Sequence, residues 1–217
     1  MTVFVKQYGY YRTGTNYLRA LLDKNCDCYV CINHLGCKHS APLKWSRWLD
    51  RPDKEVHPDL PEAVYTNIVR TAVIVKDPYA WLDSFLLYWR RRKRPPKGDM
   101  SASQVVAKVR EFNRLYKIWD QFVQDNYGLV IRYECLLEDF EDVFRNMAVR
   151  LNIPLVHDPP VNIEQRVDPH PHLRHRPFDP SYFTERQYLD ALSPTHKSIV
   201  SENIDWHLFR KWNYDQS

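Results

Sequence analysis

Arg70 to Lys76 reads RTAVIVK, an almost unbroken apolar run bounded by two cations. A strand of this kind has no polar face to turn toward water, so it must be covered on both sides. That demand points away from half-solvated antiparallel sheets and toward a sheet sandwiched by helices. Three other stretches, Val3–Val5, Cys28–Leu35 and Leu129–Tyr133, carry strand or β-rich patterns. Helical periodicity separates them. It runs from Thr15 or Asn16 to about Lys24, with Leu18, Leu21 and Leu22 on one face. It returns over Tyr79–Arg92, over Ser101–Asn126 with Val105, Val109, Phe112, Leu115, Trp119 and Phe122 facing inward, and over Leu136–Leu151. Strands alternating with helices predict an α/β fold with a central, mostly parallel sheet. Ser40–Pro61 reads as irregular with a short helix. The chain after Asn152 is rich in Pro and His, then helical near Ser181–Leu192 and Thr195–Asn203. The 217 residues, 44% of them apolar, suit one core and a single domain over residues 1–217.

In parallel sheets ligands sit at the carboxyl ends of the strands. Gly9–Asn16, Cys37–Ser40, Asp77–Ser84 and Glu134 therefore fall on one rim. The first of these lies in VFVKQYGYYRTGTNYLRALL, a strand, a tight polar loop and a helix start packed together. Unused N–H groups and the helix dipole make such a junction a ready anion site. Gly9 and Gly14 have the spacing of a Walker A loop, but Thr15 stands where its lysine belongs, and the cation, Arg12, precedes the glycine. A nucleoside-triphosphate loop is poorly matched. The plainer alternative is a turn at Gly14 with Arg12 on the surface.

A formal net charge of +4 suits a small anionic ligand better than a nucleic-acid coat. No window reaches the roughly 18 apolar residues of a membrane span, and no secretory leader pattern precedes the first strand. The expected location is cytoplasmic, with the 5 cysteines as thiols.

At Tyr10, Tyr11, Arg12, Thr13, Gly14, Thr15, Asn16 and Tyr17 the chain resembles the sulfotransferases that use 3′-phosphoadenosine 5′-phosphosulfate (PAPS), whose donor loop reads approximately Y-P-K/R-S/T-G-T-T/N-W/Y. The resemblance implies a P-loop-like sulfotransferase fold, with Arg12 and the Thr13–Asn16 loop on the 5′-phosphosulfate. A second match is VIVKDPYAWLDSF. The family has a strand ending R-x-P and a serine eight residues after the arginine, together gripping the 3′-phosphate; here Lys76, Pro78 and Ser84 stand at those places. Lysine keeps the charge but loses the planar two-point grip of arginine. A third match, LVIRYECLLEDF, resembles the family's Y-E-D-L segment through Tyr133 and Glu134, with Cys135 in place of the acidic residue. Tyr133 then borders the adenine, or is simply a core tyrosine. The late R-K-G-x-x-G-D-W phrase is absent, and Arg174 and Arg176 are candidate replacement cations.

Sulfuryl transfer needs in-line positioning, positive charge and a base for the acceptor proton. The family places a Lys and a His after the strand that follows the donor-loop helix. INHLGCKHSAP supplies Lys38 as a helper near the bridging oxygen and His39 as base, with His34 in reserve. A surface or hydrogen-bonded role for His39 remains the bland alternative. The implied donor is PAPS, the implied product is adenosine 3′,5′-bisphosphate (PAP), and no metal is required. The acceptor is a hydroxyl- or amine-bearing small molecule or glycan. The cationic run Trp89–Lys97 would attract an anionic one, or is a solvated helix end. Trp45, Trp48 and Trp81 could line its pocket or the core. Cys26, Cys28, Cys31 and Cys37 lack the paired spacing of structural zinc sites, and strand alternation would turn Cys28 and Cys31 opposite ways. A P-loop kinase, or a non-catalytic nucleotide- or polyanion-binding module, are the competing readings.

Overall fold

A computed structural model describes residues 2–31, 36–42, 58–66, 68–92, 99–163 and 179–216, with only the backbone given for Tyr65, Arg91 and Arg92. Four strands form one parallel sheet: β1 (Val3–Tyr8), β2 (Cys28–Cys31), β3 (Arg70–Val75) and β4 (Gly128–Arg132), in the order β2-β1-β3-β4. The chain steps outward from β1 to β2, then returns to place β3 on the other side of β1. β1 pairs with β3 from Val5↔Arg70 to Tyr8↔Val73, and β3 pairs with β4 from Thr71↔Gly128 to Val75↔Arg132. All strands thus end on one rim, and the reversal of strand order opens a crevice between β1 and β3.

Helices cover both faces. On one, Ala72 and Ile74 pack with Leu18, Leu21 and Leu22 of α1 (Thr15–Asn25) and with Phe144 and Met147. On the other, Val73 and Val75 pack with an aromatic cluster that includes Trp81, Phe112, Tyr116, Trp119 and Phe209. The alternation of residues 72–75 between two cores is what the apolar run demanded. The three leucines of α1 are fully buried, each worth about 1.5–3 kcal/mol.

After β2 comes α2 (Leu60–Tyr65). Next, α3 (Pro78–Arg92) starts where Pro78 sets the first turn and the Asp77 side chain accepts the N–H groups of Tyr79 and Ala80. The long α4 (Ala102–Asp125) opens with a reciprocal Ser101–Gln104 capping box. Where one helix was expected over Leu136–Leu151 there are two, α5 (Tyr133–Glu138) and α6 (Phe140–Arg150), broken at Asp139 with ψ 64. Ser181–Leu192 likewise resolves into two single turns, α7 (Ser181–Thr184) and α8 (Tyr188–Ala191). The chain continues with α9 (Pro194–Asn203), started by Ser193, and a short α10 (Trp206–Arg210) that the sequence pattern did not signal. β1 runs to Tyr8, past the expected Val5, because its outer half pairs with β3. The expected strand Cys28–Leu35 is described only as far as Cys31, and most of Ser40–Pro61 lies outside the described residues.

Candidate functional site

The loop between β1 and α1 is held from several directions. Tyr116 donates its hydroxyl to the Ile74 carbonyl at 2.8 Å and accepts the Tyr10 N–H at 3.4 Å. The Trp81 indole donates to the Tyr11 carbonyl at 3.1 Å, and buried Gln7 donates to the Thr15 carbonyl at 3.0 Å. Thr13 turns inward, its hydroxyl on the Tyr10 carbonyl at 2.7 Å. With these carbonyls tied down, the first-turn N–H groups of Thr15 and Asn16 have no intrahelical acceptor, and no side chain caps the helix.

Two residues of this loop take left-handed backbone conformations, Arg12 at φ 70 and Gly14 at φ 94. For an arginine that geometry costs about 1–2 kcal/mol, a strain of the kind stored at working loops. Gly14 has a second constraint. A Cβ there would lie 2.4 Å from Cδ2 of Tyr133 and 3.1 Å from Cδ1 of Ile74. Gly9 is as crowded, 2.8 Å from side-chain carbons of both Ile74 and Thr15. The loop thus lies directly against β3 and the start of α5. Along it, Tyr11, Arg12, Gly14 and Asn16 remain at least partly accessible while Thr13, Thr15 and Tyr17 are buried. Tyr17 sends its hydroxyl to Asn162 at 2.7 Å and sets its ring edge-on to Tyr133.

Across the crevice, Lys76 and Ser84 meet. The ammonium donates to the Ser84 hydroxyl at 2.9 Å, because Ser84 falls two turns into α3 on the side that faces back to the end of β3. The same ammonium sits 4.8 Å from the Tyr133 ring centroid and 3.8 Å from that of Phe183. Burial pushes Lys76 well below the ordinary lysine range; Arg12 adds to the fall, and Glu134, Asp83 and Asp77 oppose it. Asp77 and Glu134, adjacent carboxylates of the same corner, are both raised by burial. Arg12 itself lies over the ring of Tyr88 at 5.3 Å.

The loop 36–40 lies on the β2 side of the rim. The Gly9 N–H donates to the Lys38 carbonyl at 3.0 Å, while His39 Nδ1 meets the Gly9 carbonyl at 2.7 Å. A carbonyl oxygen only accepts, so Nδ1 holds the proton and Nε2 keeps a lone pair. Burial lowers His39 to about 4, with Lys38 and Lys6 pushing the same way and the Gly9 bond opposing. Near neutral pH the ring is thus uncharged and able to take a proton. It stacks on Tyr11 with centroids 4.2 Å apart. Lys38 donates to the Asn16 side chain at 2.5 Å and is lowered mainly by burial.

Lys6 and Phe183 were not signalled by sequence. Lys6 is buried in β1, lowered to about 8 by desolvation, and donates to the carbonyls of Cys31 and Gly36 at 3.1 and 2.7 Å. It ties the end of β2 to the loop that carries Lys38 and His39. A lysine within an apolar strand pattern was the available sign. Phe183 had none, since the helical reading of Ser181–Leu192 does not say which of its side chains reaches Lys76. His34, Trp45, Trp48, Arg174 and Arg176 lie outside the described residues, as does most of the cationic run. Trp81 is fully buried in the aromatic core. Cys28 packs in the cluster of α1 and Cys31 in a separate one with Phe4 and Leu60. All five cysteines are free thiols, and among the described residues no three His, Cys, Asp or Glu side chains gather as a metal site. No helix among them is long and apolar enough to cross a membrane.

A scan against protein-family models finds no match, and a search of curated proteins finds none. Among solved structures, the chain is similar to mouse sulfotransferase SULT7A1 complexed with PAP, at 15% sequence identity and a TM-score of 0.59. The match covers 96% of this chain and 84% of the mouse chain. At that identity the likeness shows a shared fold: a parallel four-stranded sheet flanked by helices, in a sulfotransferase-like arrangement.

Proposed function

We propose that this protein, working as one domain, transfers a sulfuryl group from PAPS to an acceptor hydroxyl or amine. The observation that supports the reading is that Lys76, bonded to Ser84, and Gly14 of the Arg12–Asn16 loop both lie against the Tyr133 ring. Two separate stretches, each resembling a phosphate-gripping element, thus meet at one aromatic ring. The fold shared with a sulfotransferase structure supports it further.

In this reading Arg12, Gly14, Thr15 and Asn16 hold the 5′-phosphosulfate through a guanidinium and open amides, while Thr13, whose N–H and hydroxyl both reach the Tyr10 carbonyl, sets the turn. Lys76 and Ser84 hold the 3′-phosphate, and Tyr17 and Tyr133 border the adenine. The acceptor oxygen attacks sulfur in line, the bond from sulfur to the bridging oxygen breaks, and the leaving bisphosphate keeps that electron pair. His39 Nε2 takes the acceptor proton. Lys38, held by Asn16 beside the loop, offsets charge that develops on the bridging oxygen. No metal is needed for these roles. The free thiols fit a reducing, cytoplasmic setting.

Calorimetric titration with adenosine 3′,5′-bisphosphate and, separately, with ATP–Mg²⁺ tests the donor class. The expected result is a clear preference for the bisphosphate. Preference for ATP–Mg²⁺ would favour a kinase, against which the lack of a lysine directly after Gly14 already counts. Bisphosphate binding without sulfuryl transfer to any acceptor in a broad panel would leave a nucleotide-binding module.

A further inference from the structure

The His39 ring is held from outside its own loop. Among the described residues it meets two groups, and both belong to the β1–α1 loop. The Gly9 carbonyl meets Nδ1 at 2.7 Å, and the Tyr11 ring stacks on the imidazole with centroids 4.2 Å apart and 29° between the planes. The two contacts constrain different things. The carbonyl decides which nitrogen carries the proton. A single hydrogen bond still lets the ring tilt about its own line, and the stacked ring removes that freedom. Tyr11 is itself held in place. Its carbonyl accepts the Trp81 indole at 3.1 Å, and its ring stands edge-on to that of Tyr10, centroids 5.4 Å apart. Tyr10 is fully buried and anchored through its hydroxyl to Glu111 at 2.7 Å. Arg12, at φ 70, then turns the chain, so its guanidinium goes to the Tyr88 ring while Tyr11 faces His39. Tyr11 is 37% exposed, so burial does not account for where its ring lies. The phrase Y-P-K/R that this loop resembles has proline where Tyr11 stands, which makes the aromatic stack a property of this chain.

We propose that Tyr11 is the positioning residue of the base: its stacked ring fixes the plane of the His39 imidazole, the Gly9 carbonyl fixes its tautomer, and together they hold one orientation of Nε2 for the acceptor proton. This rests on the transfer reading above for its purpose, but the ring geometry needs no donor. The loop then serves in two halves. Gly9 and Tyr11, on the strand side, hold the base. Arg12 to Asn16, on the helix side, meet the donor. Loss of the Tyr11 ring should therefore disturb the chemistry and spare the binding.

The test reads the imidazole itself. Long-range ¹H–¹⁵N correlation spectra of the full-length protein carrying ¹⁵N-histidine report the tautomer without any ligand, and His39→Asn assigns the signals. The unaltered protein is expected to show the Nδ1–H form alone. Tyr11→Ala is expected to mix the two tautomers, and Tyr11→Phe to restore the single one, because the stack needs the ring and not the hydroxyl. The pH midpoint of the same signals carries a sign. Burial lowers His39, Lys38 and Lys6 add to the fall, and the Gly9 bond opposes it. Opening one face of the ring to water in Tyr11→Ala should raise the midpoint toward about 6.5, and Tyr11→Phe should leave it low. In turnover, Tyr11→Ala should lower kcat about tenfold with bisphosphate affinity held within about twofold, and Tyr11→Phe should recover kcat. A single Nδ1–H tautomer with an unmoved midpoint in Tyr11→Ala would overturn the proposal, even if the melting temperature dropped. Equal loss of kcat and bisphosphate affinity would overturn it too, since that is what a merely structural tyrosine gives. Absence of bisphosphate binding by the unaltered protein would sink the donor reading alone, because the tautomer is read without ligand.

Discussion

The two lysines of the rim occupy opposite environments. Lys76 is enclosed by two aromatic rings and a serine hydroxyl, with three carboxylates within electrostatic reach. Lys38 is half-buried on a loop, bonded to a neutral amide, with Arg19 repelling it. The Lys76 corner is assembled from β3, α3, α5 and α7, whereas the 36–40 loop is tied at separate points by Lys6, Gly9, Asn16 and the Trp119 indole. A corner enclosed from several elements suits a group that must hold a fixed position for binding. A rim loop with a neutral imidazole stacked on an exposed tyrosine suits groups that act during a reaction. Binding and chemistry are thus expected to separate between the two regions under mutation.

The largest separation is expected from His39→Ala. Turnover should fall about 10²–10⁴-fold while bisphosphate affinity, read by calorimetry, stays within about twofold; equal loss of both would merge the regions. Gly14→Ala attacks the binding side. Its φ of 94 and the 2.4 Å approach to Tyr133 predict about a 100-fold loss of bisphosphate affinity. Gly36→Ala, strained at φ 98 on the other loop, should instead lower turnover and spare affinity. Lys76→Ala should weaken adenosine 3′,5′-bisphosphate about tenfold and leave adenosine 5′-monophosphate unchanged, which isolates the 3′-phosphate.

The two regions also titrate apart. His39, lowered to about 4, must be neutral to act, so kcat/KM should rise as pH passes upward through that value. Lys76 must be charged to bind, and burial lowers it. The alkaline limb of kcat/KM should therefore fall well below the ordinary lysine range near 10.4. Lys76→Arg should move only that limb, and His39→Ala should remove only the acid one. The smallest effect is expected from Trp81→Phe, which deletes the 3.1 Å bond to the Tyr11 carbonyl. A few-fold loss of bisphosphate affinity, about 1 kcal/mol, would place Trp81 among the supports of the loop.

What the sequence made legible was local. The apolar run at residues 70–76 forced a doubly covered strand, and the tight loop of the β1–α1 junction was visible through Gly9, Arg12 and Gly14. Lys76 and Ser84 were readable together because a strand end and the second turn of the next helix lie close by connectivity alone. The break at Asp139 was not readable, since no Gly or Pro marks it. Phe183 and the bonds from Tyr116 and Trp81 were hidden for another reason. They depend on which helix packs where, and their side chains fit an ordinary aromatic core equally well. Lys6 stood in plain view inside a strand, but only the fold shows that its ammonium braces the loop that carries His39.

The most direct test is a structure of the protein with adenosine 3′,5′-bisphosphate bound. The expected arrangement has the 5′-phosphate on the Arg12–Asn16 loop and the 3′-phosphate within hydrogen-bond reach of Lys76 and Ser84, spanning the β1/β3 crevice. A bisphosphate bound anywhere else, or bound with its 3′-phosphate remote from Lys76, would contradict the account.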